Sequence, residues 1–365
     1  MDIYELLREA KSRGASDLHL VVASPALVRV NGSLEKVNGT GQLKAADINE
    51  AFLQITTPEE RESFHKQLEL DFNYSMSEVG HFRCNAAMQR GAISLAVRLL
   101  PPEVPTIAEL ELPKIFEQLI MKQRGLIIVT GPTGSGKTTT LAAMLNHLNL
   151  NDSRHIVTIE DPIEYVHPCI GCAITQRELG NDTLSFAQAL RHVLRQDPDV
   201  ILVGEMRDLE TAAAVLNVAE TGHLVLSTGH APSTPQAMER IIDLFPLHER
   251  TLAQSRLASL LIAVMCQTLV PRADGSGRIA AVEVMMANSA VRNLLREGKI
   301  FQLANAIRTH HDIGMISLDE ALVDLYLKRI ISGEMVMKFC NDRKEVERLI
   351  GGPKEKAASV WPEGF

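Results

Sequence analysis

Hydrophobic positions fall into two patterns along this chain. Through residue 102 they alternate with polar ones in short stretches. Residues 3–11 read as an amphipathic helix. Residues 16–22 and 27–30 read as strands, with a turn at Pro25 and Ala26 between them and the hairpin pair Asn31-Gly32 after them. Residues 46–53 and 58–67 look helical. Residues 70–74, 81–89 and 93–99 alternate as strands of an antiparallel sheet. From Leu126 onward the pattern changes to short, continuous, β-branched runs, which mark strands buried on both faces of a parallel sheet. Such runs start at Leu126, His155, Val200 and Leu224, and helices follow at 139–148, 183–196 and 209–221. Pro101, Pro102 and Pro105 mark a linker, and 107–123 carries helical segments. Beyond Pro246 the chain reads as mainly helical, interrupted by a hairpin-like turn at 274–277 and a strand at 278–285. Residues 351–365 read as a disordered tail. The fold class is α/β: a small α+β domain (1–102), a linker (103–113) and a parallel-sheet domain with a helical C-terminal part (114–350).

The first run leads directly into Gly131-Pro132-Thr133-Gly134-Ser135-Gly136-Lys137-Thr138. This fits G-x-x-x-x-G-K-[ST], the phosphate-binding P-loop. Glycines let bare backbone N–H groups meet an anion, and the helix that follows adds the positive end of its dipole. Lys137 reaches the β- and γ-phosphates, the Thr138 hydroxyl can ligate Mg²⁺, and Thr139 continues the helix beside the nucleotide. Strand, loop and helix come in the order the site needs.

Three further strands carry polar groups at their carboxyl ends, where ligands bind in open α/β sheets. Glu160, Asp161 and Glu164 follow the strand from His155; any one of them could be an ordinary loop residue, or could hold Mg²⁺ through water or orient an attacking water. Val200-Ile201-Leu202-Val203 ends in Gly204-Glu205, so Glu205 supplies the charge at the metal-holding strand of P-loop ATPases. His223 and His230 bracket the strand from Leu224, with His230 on the nucleotide side. Arg240 lies in the next helix, within reach of an acid or a phosphate. Arg83 and Arg98 are lone cations in apolar strands of the first domain. They are either solvated strand-face residues or a guanidinium pair aimed at phosphate.

Composition narrows the class. The chain has 365 residues and a formal net charge of −8, which speaks against a protein that coats nucleic acid. The start of the chain has no apolar signal region, and its longest apolar run, near 257–266, is too short to span a bilayer. The expected location is therefore cytoplasmic. The cysteines are Cys84, Cys169, Cys172, Cys266 and Cys340; Cys169 and Cys172 form a C-x-x-C pair with no second pair to complete a zinc site, so all read as free thiols.

Taken together, these motifs resemble the secretion and pilus motor ATPases, and within them the branch that retracts type IV pili in twitching motility. The resemblance rests on the P-loop, the acidic stretch Thr158 to Glu164, the atypical acidic strand from Asp197 to Asp208, the histidine stretch Glu220 to His230, and Ala290-Val291-Arg292-Asn293-Leu294-Leu295-Arg296-Glu297. It implies a PAS-like N-terminal domain followed by a RecA-like ATPase domain, assembled as a homohexameric ring that hydrolyses ATP with Mg²⁺. It implies that Gly131, Thr133, Gly134, Ser135, Gly136, Lys137, Thr138 and Thr139 hold the nucleotide, with Glu160, Asp161, His223 and Arg240 nearby. It assigns Glu164, Glu205, His230, Arg83 and Arg98 to catalysis, and Thr138 and Glu205 to the metal. The implied partners are an inner-membrane pilus platform protein and a second retraction ATPase, with no nucleic acid, and the implied place is the cytoplasmic face of the inner membrane. The alternatives are a pilus-assembly or type II secretion ATPase of the same family, or a non-motor accessory ring. One departure stands out: Ser227-Thr228-Gly229-His230-Ala231-Pro232 carries a glycine and a proline where the family usually reads close to Gly-Thr-Leu-His-Thr-Asn.

Overall fold

The computed structural model describes residues 1–351 apart from 31, 78 and 102. The expected Asn31-Gly32 turn, part of the proline linker and the expected tail beyond Gly351 therefore lie wholly or partly outside the described residues. The chain divides into two units: residues 1–103 with Glu164–Val166, and residues 104–163 with 167–365.

In the first unit, strands β1 (Asp17–Leu20), β2 (Leu27–Val30), β3 (Ser33–Lys36), β4 (Glu69–Met76), β5 (Gly80–Gln89) and β6 (Ala92–Leu99) form one antiparallel sheet in the order β3-β2-β1-β6-β5-β4. The helix Ile3–Ser12 buries Ile3, Leu6, Leu7 and Ala10, the one-sided spacing of an amphipathic helix. The helix Ala45–Ile55 buries Ile48, Ala51, Phe52 and Ile55 in the same way. Strand period sorts the sheet's faces. Val28, Leu18, Val97, Cys84 and Phe72 share one rung and are buried. The neighbouring rung, Arg29, Asp17, Arg98, Arg83 and Asn73, points to the opposite face. β3 has no buried residue, which is why no hydrophobic alternation marks it.

The second unit is built on β7 (Gly125–Thr130), β8 (His155–Glu160), β9 (Ala173–Glu178), β10 (Val200–Val203), β11 (Leu224–Thr228), β12 (Leu261–Pro271) and β13 (Arg278–Met286). Their order is β13-β12-β7-β11-β10-β8-β9, parallel throughout except for the antiparallel β12–β13 pair. Helices cover both faces. Lys137–Asn151 and Ile115–Ile120 pack on one, while Phe186–Val193, Leu209–Glu220, Thr234–Asp243 and Arg250–Leu260 pack on the other. β7 is buried at every position, with β11 on one side and β12 on the other. From β7 the chain first crosses to β8, then returns through β10 and β11, and only later places β12 on the far side. This reversal of direction puts the P-loop at the switch point of the sheet, the ligand position of such folds.

Two expectations are corrected here. The stretch after Leu260 is not helical but the long strand β12, since a continuous apolar run fits a buried strand as well as a helix. The segment expected as a linker joins the second unit: Ile107 and Leu112 are buried in its core with Phe116. The helical C-terminal part is present. Leu318–Leu327, Gly333–Phe339 and Arg343–Gly351 pack around Val270, Ile279 and Ala281 of β12 and β13.

Candidate active site

The P-loop owes its shape to three glycines with positive φ: Gly131 (141°), Gly134 (76°) and Gly136 (87°). Gly131 is also sterically required, because a Cβ there would lie 2.3 Å from the Gln267 carbonyl oxygen. The helix Lys137–Asn151 starts at the loop's end. Lys137 is buried, and its Nζ donates to the carbonyl oxygens of Gly131 (2.9 Å) and Pro132 (3.1 Å), so the ammonium lies over the loop. Pro132, Thr133 and Gly134 are exposed at the mouth. The buried Ser135 Oγ has no hydrogen-bond partner among the described residues. The loop is thus a concave set of backbone donors with one cation, suited to a polyphosphate.

The neighbouring strand ends bring in acid and histidine. Glu205, just past β10, is buried, yet both its oxygens are engaged: Oε1 pairs with Arg207, and Oε2 lies 2.9 Å from His230 Nε2. Arg240 Nη1 donates to the His230 carbonyl oxygen at 2.8 Å, fixing the backbone rather than an acid or a phosphate. Glu205, His230 and Arg240 are therefore one connected cluster. Gly204 is explained by packing. A Cβ there would lie 3.2 Å from the Phe186 ring and 3.4 Å from the Ile159 carbonyl oxygen, so a side chain at this position requires the Phe186 ring to give way slightly.

Thr130 joins this cluster to the P-loop strand. Its buried hydroxyl donates to the Ala231 carbonyl oxygen (3.0 Å) and accepts from the Ala231 N–H (2.8 Å). Gly229 N–H donates to the Val129 carbonyl oxygen at 3.0 Å, and a Cβ on Gly229 would come within 3.2 Å of Thr130 Oγ1. The unusual glycine of the histidine stretch is thus a close-approach residue that lets the loop carrying His230 lie against β7.

Other expected residues are placed elsewhere. His223 precedes β11, and its carbonyl oxygen accepts from Gly125 N–H at the start of β7, the opposite end of the strands from the P-loop. Its Nδ1 sits 2.9 Å from Thr221 Oγ1, so it belongs to a helix end and not to this site. Glu160 is buried with Oε1 held by Thr158 (2.6 Å) and Gln176 (3.1 Å). β8 is also three strand spacings from β7, about 14 Å, so Glu160 braces β8 against β9 rather than touching phosphate. Asp161, next along, is exposed. Glu164 groups with the first unit, as do Arg83 and Arg98. Arg83 and Arg98 are direct cross-strand partners on β5 and β6, on the same face. Arg98 Nε is held by Asp17 Oδ1 at 2.9 Å, and Arg29 Nε is 3.8 Å from the other Asp17 oxygen. Desolvation works to raise the Asp17 pKa, but hydrogen bonds from Ser16 and Arg98 and the Arg98 charge outweigh it and hold this carboxyl below its usual range.

Three features escaped the sequence reading. Gln267, on β12, reaches the underside of the P-loop. Thr130 bridges β7 and the histidine loop. A cavity of about 380 Å³ beside the first turn of the P-loop helix is lined by Gly136, Thr139, Leu110, Leu269, Arg272 and Arg278, among others. A polar amide within an apolar run was the available signal for Gln267, and it is legible only once 261–271 is known to be a strand.

Fold and site together define a P-loop ATPase, and known proteins agree. The family described as Type II/IV secretion system protein matches residues 2–311. The type IV pilus retractation ATPase PilT of Pseudomonas aeruginosa is 45% identical over 334 residues, covering 92% of this chain and 96% of its own. The twitching motility protein of Neisseria gonorrhoeae is 41% identical over 332 residues, covering 91% and 88%. A crystal structure of the pilus retraction motor PilT with bound ADP superposes with a TM-score of 0.89 at 40% identity, covering 95% of this chain and 99% of that one. The chain belongs to the Type II/IV secretion system protein family, as an ATPase.

Proposed function

We propose that this protein is the ATP-driven motor of type IV pilus retraction, working as a homohexameric ring on the cytoplasmic side of the inner-membrane pilus machinery. The observation that carries the reading is the joint placement of the P-loop and the Glu205–His230–Arg240 cluster at adjacent strand ends. Retraction is favoured by the full-length likeness to relatives described by retraction and twitching. Among the described residues no helix is long and apolar enough to cross a membrane. In this reading the partner at the membrane is the pilus platform protein.

In this reading the P-loop amides and Lys137 bind the phosphates, and the cavity beside the helix takes the nucleoside end, being continuous with Gly136 and Thr139. Mg²⁺ fits the donor set. Thr138 and Glu205 offer oxygen ligands, and the Thr138 hydroxyl carries no protein partner among the described residues. When bound, the ion neutralises charge on the phosphates. Glu205 then orients the attacking water, and His230 holds the carboxylate in place.

The test separates ground-state from transition-state roles. Lys137→Ala abolishes ATP binding, measured with a fluorescent ATP analogue. Glu205→Gln binds the analogue like the wild type and releases phosphate at a small fraction of its rate. Near-normal turnover in Glu205→Gln would move the catalytic role to Glu164.

A further inference from the structure

The middle of β12 should be wholly apolar, because it lies between β7 and β13 in the sheet. Gln267 breaks that rule at 3% exposure, and a buried amide is costly unless its groups are matched. Both are matched by the P-loop segment. Nε2 donates to the Ser135 carbonyl oxygen at 2.7 Å, and Oε1 accepts from Thr140 Oγ1 at 2.7 Å. One rigid amide therefore spans the junction between loop and helix. The contact leaves no gap, since a Cβ on Gly136 would lie 3.0 Å from Gln267 Nε2.

The consequence follows from peptide geometry. In a trans peptide the carbonyl of residue 135 and the N–H of residue 136 point in opposite directions. With the Ser135 carbonyl drawn down onto Gln267, the Gly136 N–H faces away from the strand, toward the loop's concave side. Gly136, with φ at 87°, has no Cβ to resist rotation of this peptide. Without the amide below it, the plane can turn over, replacing an anion donor with a carbonyl oxygen.

We propose that Gln267 is a positioning residue of the nucleotide site: by holding the Ser135 carbonyl it keeps the Gly136 N–H turned to the phosphates. The inference rests on the P-loop reading above. Gln267 touches no phosphate itself, so its loss weakens nucleotide binding more than it slows the chemical step.

The experiment compares full-length variants by titration with a fluorescent ATP analogue and by steady-state phosphate release. Gln267→Leu keeps volume and loses both hydrogen bonds. Gln267→Glu keeps the acceptor for Thr140 but sets a carboxylate against the Ser135 carbonyl. Thr140→Val removes the helix tie alone. Both Gln267 variants should raise Kd and KM by about tenfold or more, the size of one lost charge-assisted hydrogen bond. Their kcat at saturating ATP should stay within about threefold of the wild type, and Thr140→Val should raise Kd by less than about threefold. Should Gln267→Leu fail to fold, Gln267→Met fills the same space and is read in the same way. A Kd unchanged in the Gln267 variants, or a Thr140→Val defect as large as theirs, would overturn the inference. Lys137→Ala, run alongside, distinguishes this outcome from failure of the P-loop reading, since only the latter leaves Lys137→Ala binding intact.

Discussion

Replacing Thr130 with valine tests how the histidine loop is held against the P-loop strand. The two side chains are nearly isosteric, so packing at this fully buried position is kept while the hydroxyl is lost. Two backbone groups of Ala231 then lose their partner: the N–H at 2.8 Å and the carbonyl oxygen at 3.0 Å. The carbonyl keeps a weak thiol donor, Cys266 Sγ at 3.6 Å, but the N–H has no substitute among the described contacts. An unmatched buried backbone group costs about 1–3 kcal/mol, so the sum for Thr130→Val is about 2–4 kcal/mol. Thr130→Ser keeps both hydrogen bonds and loses a methyl group, worth about 1 kcal/mol. The damage should also be local, because Ala231 is bonded next to His230, whose imidazole meets Glu205. Urea unfolding gives the first quantity, and amide hydrogen exchange of the segment 224–234 gives the second. Thr130→Val should be less stable than Thr130→Ser, exchange faster in that segment and hydrolyse ATP more slowly. Equal stability, exchange and turnover in the two variants would refute this account of the loop and, with it, the explanation of Gly229.

Two further outcomes follow from the structure. His167 is buried with Nδ1 unpartnered, and burial lowers its pKa from 6.5 to about 4. Its neutral form is favoured in the folded chain, so stability is fully present above pH 6.5 and falls as the pH drops toward 4, by about 3 kcal/mol in all; His167→Gln should flatten unfolding free energy against pH over that window, and an unchanged slope would exclude the histidine as its source. Burial works to raise the Asp17 pKa, but hydrogen bonds from Ser16 and Arg98 hold it below 3.8, so the stability it contributes is present above that pH and is lost as the pH falls through the lower folded value; Asp17→Asn should flatten the acid limb of the unfolding free energy, and an unchanged limb would exclude the carboxyl as its source.

Legibility in the sequence followed the physics of each element. The P-loop was readable because its chemistry is local: glycines, lysine and threonine act within a few residues of one another. β7, β10 and β11 were readable because strands buried on both faces are short continuous apolar runs between polar turns. β12 is the same kind of strand, yet the helix Arg250–Leu260 runs straight into it without a polar break, so the two merged. Side-chain roles that depend on sheet order were not readable. Glu160 and Glu205 both end parallel strands in acids, and only the order β7-β11-β10-β8 separates the one near the P-loop from the one turned to β9. The two histidines divide for a simpler reason: they stand at opposite ends of β11.

The central claim, an ATP-driven retraction motor, is tested most directly in the organism that encodes the protein. The gene is deleted and complemented with the wild type, Lys137→Ala or Glu205→Gln, and surface pili and twitching are scored in each strain. A retraction motor predicts that the deletion strain and both variant strains carry surface pili, in normal or raised number, and fail to twitch, while the wild-type copy restores movement. A deletion strain without surface pili would contradict it and point to assembly.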